Sequence, residues 1–232
     1  LAKAGVSVLW RDNNSGSQGV ADRVRYERFD TAERNPACDA VECRDVGMLD
    51  GLDAYIEQQP GDVLIVLHQM GSHGPAYFKR YPEAYRRFTP DCRSADFSEC
   101  TGEEIVNAYD NTILYTDQFL AQVIRFLEGY QDRYETAMLY LSDHGESLGE
   151  MGVYLHGLPY SFAPEGQTRV PFIVWAGAGS DLDHAQLKAQ RGETVTHDDF
   201  NRMLLSAFEV RLDGASTPVV SEVLPRKRDD DG

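Results

Sequence analysis

Leu139-Tyr140-Leu141-Ser142-Asp143-His144-Gly145-Glu146-Ser147 is the stretch that decides how this chain is read. A short apolar run of strand character stops at an adjacent carboxylate and imidazole, and a glycine, a second carboxylate and a hydroxyl follow at once. Open α/β sheets gather their ligand chemistry just beyond the carboxyl ends of the strands. Asp and neutral His are also ordinary donors to a divalent ion such as zinc. Further on, Gly152-Val153-Tyr154-Leu155-His156-Gly157 offers another imidazole in a glycine-flanked loop. Upstream, Val63-Leu64-Ile65-Val66-Leu67 runs into His68, and Gly71-Ser72-His73-Gly74-Pro75 follows. Asp-His-Gly alone reads equally as a polar turn after a buried strand. Three histidine-bearing strand ends and loops are hard to explain by core packing, and a metal site explains them better.

Outward from these segments, strand and helix patterns alternate. Leu1-Ala2-Lys3-Ala4-Gly5 reads as the tail of a helix capped by Gly5, which implies that the natural chain begins earlier. Val6-Ser7-Val8-Leu9-Trp10 is a strand, and the polar stretch from Arg11 to Gly19 is either an ordinary Asn/Gly turn or a wall of the active site. Residues 22–45 show little periodicity and read as an irregular excursion. Met48, Leu49, Leu52, Tyr55 and Ile56 have helical spacing, ended by Pro60-Gly61. The uninterrupted apolar run 63–67 suggests a parallel strand covered on both faces. Residues 71–101 form a long loop rich in Tyr, Arg and Pro, of the kind that is often functional. The longest helix is expected over 103–127, with Glu103 and Glu104 at its start and Gly129 past its end. Strands follow at 137–141 and 170–175. Thr196 and Asp199 read as a reciprocal cap opening a further helix, with His197 a structural residue rather than a ligand. Residues 226–232 read as a charged, mobile end. This alternation predicts an α/β fold, one domain over 1–232, with a mostly parallel central sheet between helical layers.

Composition narrows the function. The chain has 232 residues, 42% hydrophobic and 10% aromatic, enough for a substantial core. No apolar run approaches the roughly 18–20 residues needed to span a bilayer. A formal net charge of -16 argues against nucleic acid and against electrostatic docking of the whole domain onto an anionic membrane. Cys38, Cys43, Cys92 and Cys100 form two close pairs in polar, turn-rich segments, which read as disulfides 38–43 and 92–100 in an oxidising compartment. A four-cysteine zinc site lacks the usual spacing.

Ser142-Asp143-His144-Gly145-Glu146-Ser147-Leu148-Gly149-Glu150, with the His156 loop after it, resembles the core signature of the phosphoethanolamine–lipid A transferases, a family that includes the mobile colistin-resistance enzymes. His68-Gln69-Met70-Gly71-Ser72-His73-Gly74-Pro75, Tyr81-Pro82 and Trp10-Arg11-Asp12-Asn13-Asn14-Ser15-Gly16 fit as well, so the resemblance covers about residues 6–205. It implies an alkaline-phosphatase-like α/β/α sandwich, monomeric, at the periplasmic face of the bacterial inner membrane and anchored there by preceding membrane helices. It implies zinc-dependent transfer of phosphoethanolamine from phosphatidylethanolamine to a lipid A phosphate through a phosphothreonine. Carried over by position, Asp143 and His144 are ligands of the catalytic zinc. His73 and His156 bind the donor headgroup or a second zinc, and as neutral imidazoles can protonate a leaving oxygen. Glu146, Asn14 and Ser15 line the donor pocket, with Gln18 where several relatives carry Lys.

In that family the nucleophilic Thr and another zinc carboxylate lie upstream of the strand at Val6. Thr101, Thr112, Thr116 and Thr136 sit in a loop, in a helix or before a strand, so no nucleophile is assigned and the chain by itself is expected to be inactive. The alternatives are a sulfatase-like or phosphodiesterase-like hydrolase on the same fold and a noncatalytic metal-binding module.

Overall fold

A computed structural model describes residues 1–227. In chain order its strands and α-helices are β1 (Ser7–Asp12), β2 (Arg25–Arg28), α1 (Leu52–Glu57), β3 (Val63–His68), α2 (Gly102–Glu128), β4 (Ala137–Leu141), β5 (Ser147–Leu148), β6 (Tyr154–Leu155), α3 (Glu165–Thr168), β7 (Phe172–Ala176), α4 (His184–Ala189) and α5 (His197–Ala207). β1 lies between β2 and β3 and runs parallel to both, with Asp12 opposite His68 at the carboxyl end. β4 pairs with β7 and β5 with β6, both antiparallel.

The α/β class expected from the alternation is what the chain adopts, and the parallel expectation holds around β1. β7 differs. A parallel return needs a crossover long enough to carry the chain back along the sheet, usually a helix. Between β4 and β7 the only α-helix is the four-residue α3, and the strand comes back antiparallel.

α2 closes one face of both part-sheets. Phe119, Leu120 and Val123 pack with Met48 and Met138, and against this cluster sit Leu67 of β3, Tyr140 of β4 and Trp175 of β7. Alternate residues of β4 and β7 point the other way: Leu139, Phe172 and Val174 pack against Met203, Leu182 and Leu224, so α5 covers the second face. Leu9 of β1, fully buried, meets Leu52, Tyr55 and Ile56 of α1. α5 is capped as expected, whereas α2 opens on Thr101, not foreseen in the sequence, and Gly129 after its end is right-handed at φ -65° instead of a left-handed glycine cap. Thr101 and Glu104 form a reciprocal box at α2, with the Thr101 amide donating to Glu104 Oε2 at 2.7 Å, and Thr196 does the same with Asp199 at α5 at 2.9 Å.

Three local expectations are corrected. The excursion 22–45 contains β2, whose sequence Arg-Tyr-Glu-Arg has no apolar alternation because it is an exposed edge, where charge is the usual defence against further pairing. The helix expected from Met48 breaks in two: a 3-10 turn over Asp45–Leu49 and then α1, with Gly51 between them at φ 67°, a left-handed conformation that suits glycine. The long loop from Gly71 holds three short 3-10 turns rather than none. Both disulfides form as read, Cys38–Cys43 and Cys92–Cys100. Of the end expected to be mobile, Arg226 and Lys227 are tied down: Arg226 pairs with Asp181 and Glu209, and Lys227 Nζ donates to Ser180 O at 2.7 Å. Residues 228–232 lie outside the described part.

No hydrogen bonds join β3 to β4. An open cleft of about 2550 Å³ is lined by every residue of both strands and, at its rim, by Asn14, Gln18, His68, His73, His144 and Glu146. Among the described residues no helix is long and apolar enough to cross a membrane.

Candidate metal centre

The site is assembled from the ends of β3 and β4 and from the β6 hairpin. After β3 the backbone is seized by one carboxylate. Asp45, completely buried, accepts from the amides of Met70 at 2.9 Å and Gly71 at 3.0 Å and from Asn13 Nδ2 at 2.8 Å. Burial pushes the Asp45 carboxyl above the ordinary range, and these three bonds work against that rise. Arg80 Nε then donates to His73 O at 2.7 Å, so the His73 backbone is held from both sides.

Beyond β4 the turn is equally constrained. Ser142 Oγ donates to His144 O at 2.7 Å, and the Gly145 amide donates to Gln167 O at 2.9 Å. A Cβ on Gly145 would stand 2.0 Å from the Gly166 carbonyl oxygen, so only glycine lets the Asp-His turn lie against that backbone. A Cβ on Gly74 would stand 2.4 Å from Leu155 Cδ2, a side-chain end that would have to shift.

Three imidazoles converge. One ring nitrogen each from His73, His144 and His156 lies within 4.8 Å of the other two. The rings of His144 and His156 stack at 3.8 Å between centroids, and His73 stands edge-on to both at 6.0 and 5.1 Å. Every Nδ1 is engaged by an atom that can only accept: Gly74 O for His73 (2.8 Å), Gly145 O for His144 (3.0 Å) and Glu146 Oε1 for His156 (3.1 Å). Each Nδ1 therefore carries the proton, and the neutral ring keeps its lone pair on Nε2. That is how metal-binding histidines are normally oriented by their outer partners.

Glu146 ties the centre together. Its side chain is buried, Oε1 also accepts from the Gly74 amide at 3.2 Å, and Oε2 is buried with no hydrogen-bond partner. The Tyr77 hydroxyl is likewise buried and unpartnered. Burial, then the charge of Glu146, pushes the Tyr77 phenol up, and the same two causes push Tyr109 up to about 12.

Of the expected site residues, the structure gathers His73, His144, His156 and Glu146. Asp143 stands beside them, its side chain 84% exposed and its Oδ1 3.8 Å from His144 Nε2, outside the three-nitrogen group. Asn14 joins the rim by donating to Gln69 O at 3.0 Å, while Ser15 and Gln18 are exposed on the same loop, Gln18 at φ 50°. His197 is structural, its Nε2 3.0 Å or less from Ser142 O (2.9 Å). Two features were not visible in the sequence. Asp45 gave no signal, because it sits in an aperiodic stretch. The pairing of His68 Nδ1 with the buried Asp12 (3.1 Å) could have been suspected only from both residues ending strands.

A strand-end metal-type centre in an α/β sheet defines the class, and comparison with known proteins agrees. The sulfatase family model matches residues 1–210, and the chain belongs to that family. Within it the chain resembles phosphoethanolamine transferases. It is 48% identical over 218 residues to the phosphatidylethanolamine transferase Mcr-2 of Escherichia coli, covering 90% of this chain and 39% of Mcr-2. It is 46% identical over 175 residues to the phosphoethanolamine transferase EptA of Salmonella typhimurium, covering 75% and 32%. The soluble domain of the lipooligosaccharide phosphoethanolamine transferase A of Neisseria meningitidis superposes with a TM-score of 0.83 at 41% identity, covering 89% of this chain and 63% of that one. The chain thus spans about two fifths of the length of Mcr-2.

Proposed function

We propose that this domain holds zinc at the His73–His144–His156 centre and serves the transfer of phosphoethanolamine from phosphatidylethanolamine to a lipid A phosphate, at the periplasmic face of the bacterial inner membrane. The observation that carries the metal reading is the shared orientation of the three imidazoles, each with Nδ1 spent on an acceptor. Three nitrogen donors suit a zinc site that keeps a position open for substrate. The names of its relatives support the substrates.

His144 and the neighbouring Asp143 would supply the metal side of the centre, with His73 and His156 completing it or facing the donor headgroup. A bound zinc would offset the negative charge that spreads over the phosphoryl oxygens during transfer. Nε2 is the atom of His73 or His156 that can hold or hand over a proton, since Nδ1 is fixed. Glu146, which holds His156 and the Gly74 amide, lines the donor side of the centre. Asn14, Ser15 and Gln18 form the wall of the donor pocket; with Gln18 in place of a lysine, the phosphate rests on neutral groups there.

Four of the threonines are already engaged in structural roles. Thr101 and Thr196 cap helices, Thr112 bonds back to Tyr109 O, and Thr136 is packed against Gly177. The purified chain is expected to bind zinc and to show no turnover of a fluorescent phosphatidylethanolamine analogue. Asp143→Ala and His144→Ala should each lower the zinc content; unchanged content in both would sink the metal reading. Robust turnover would show that the nucleophile lies within this chain, and release of the headgroup to water instead of lipid A would favour a hydrolase.

A further inference from the structure

From Met151 to Pro164 the sequence Met-Gly-Val-Tyr-Leu-His-Gly-Leu-Pro-Tyr-Ser-Phe-Ala-Pro holds no Asp, Glu, Lys or Arg, in a chain of which 26% of residues are charged. Its large side chains divide into two sets. Leu155 packs beside Gly74 and Tyr77, and Tyr154 lies against Phe97 at 5.3 Å between ring centroids, anchoring the hairpin. Met151, Tyr160 and Phe162 point into solvent, 84%, 84% and 76% exposed, and Leu158 is also exposed.

The backbone is strained at the start of this stretch, in and beside the β5–β6 hairpin. Met151 at φ 54° and Leu155 at φ 63° occupy the left-handed region, which non-glycine residues avoid, and Gly149, Gly152 and Gly157 share positive φ. Strain of this kind persists where it serves a site. Exposed large apolar side chains close together in sequence are costly to leave in water, and exposed apolar surface of this kind marks an interaction face.

We propose that Met151, Leu158, Tyr160 and Phe162 form a membrane-contact face that sits in the headgroup–acyl boundary of a bilayer. Three observations favour lipid over other occupants. The stretch is free of charge, so it enters the boundary without desolvating ions. Its exposed set combines Tyr with Phe, Leu and Met, the amphipathic and apolar mixture found where protein meets the membrane interface. The chain as a whole carries a net charge of -16, which repels anionic lipid, so attachment has to be apolar and local. This inference requires neither zinc nor the transfer reaction. It adds one consequence to them: His156 lies two residues from Leu158, so docking would bring the imidazole centre to the lipid surface.

The test is co-sedimentation of the chain with neutral phosphatidylcholine vesicles, at low and high salt. Binding is expected and should be insensitive to salt. Tyr160→Ser and Phe162→Ser should each weaken partitioning about tenfold, the change that corresponds to roughly half-burying such a ring. Val20→Ser and Val220→Ser, equally exposed apolar positions elsewhere, should leave it unchanged. Tyr160→Trp adds a check that does not depend on affinity: its emission should shift to the blue with vesicles and be quenched by brominated acyl chains. The proposal is overturned if no binding occurs, if binding requires anionic lipid and vanishes in salt, or if Tyr160→Ser and Phe162→Ser instead abolish self-association in sedimentation velocity, which would make the face a contact between copies.

Discussion

Glu146 holds His156 through a carboxylate–imidazole bond of 3.1 Å, and with the same oxygen it accepts the amide of Gly74 from the opposite histidine loop. One buried side chain thus orients a ring on the β6 hairpin and positions the loop that carries His73. Two segments far apart in sequence depend on one acid.

Glu146→Gln keeps the volume and replaces one acceptor oxygen with a donor. A glutamine oxygen in the place of Oε1 can still accept both N–H groups, but without charge it is the weaker acceptor, so the His156 ring is held less firmly. Zinc affinity is expected to fall about 10- to 100-fold, as for outer partners of metal-bound histidines generally. Equilibrium dialysis against a zinc buffer checks this, and an unchanged affinity would show that His156 is oriented by something else.

Asp45→Asn addresses the other loop. Asp45 receives three N–H groups with two oxygens, whereas an amide offers one acceptor oxygen. Hydrogen exchange should accelerate about fivefold at whichever of Met70 and Gly71 loses its oxygen, the change expected for one lost bond of about 1 kcal/mol. Amides in α2 should not respond.

Gly145→Ala places a methyl carbon where the Gly166 carbonyl already stands, 2.0 Å away. Backbone rather than a movable side chain must yield. The expected loss is about 1–3 kcal/mol in urea unfolding, accompanied by loss of zinc binding as the Asp-His turn shifts. Normal stability and metal content in this variant would refute the close packing of the turn on residues 166–167.

Asp91 supplies the pH test. Burial pushes its carboxyl up, but hydrogen bonds from Arg86, Tyr81 and Arg93 outweigh burial and leave it below the ordinary range. A carboxyl whose folded pKa lies below its unfolded one adds stability above about pH 4, and that stability is lost as pH falls through the folded value. Asp91→Asn should therefore cost about 2–3 kcal/mol at pH 7, and the gap to the parent chain should narrow below about pH 4. A gap that stays constant down to pH 3 would mean that the carboxylate charge contributes nothing.

Much of this architecture could be read in advance, for identifiable reasons. β3 and β4 are short apolar runs, α2 carries an apolar face between a two-acid start and a glycine end, and α5 is announced by Thr196 and Asp199. The three histidines could be grouped because each follows a strand or sits among glycines. β2 was illegible because a charged edge strand carries no alternation. The apolar spacing from Met48 to Ile56 is helical throughout, but the left-handed backbone of Gly51 divides the segment. Asp45 was hidden for a different reason: its value lies in receiving backbone amides from residues 70–71, and side-chain patterns do not record where another segment's amides will fall.

The separation of β3 from β4 affects how the molecule behaves in company. β3 is hydrogen-bonded only to β1 and β4 only to β7, so each presents one edge of unclaimed amides and carbonyls to the cleft. Val63-Leu64-Ile65-Val66-Leu67, uncharged and without proline or glycine, lies along one of these edges and has the composition that most readily recruits another strand. For this chain taken alone, a charge introduced at Leu64 or Val66 should lower light scattering at high concentration.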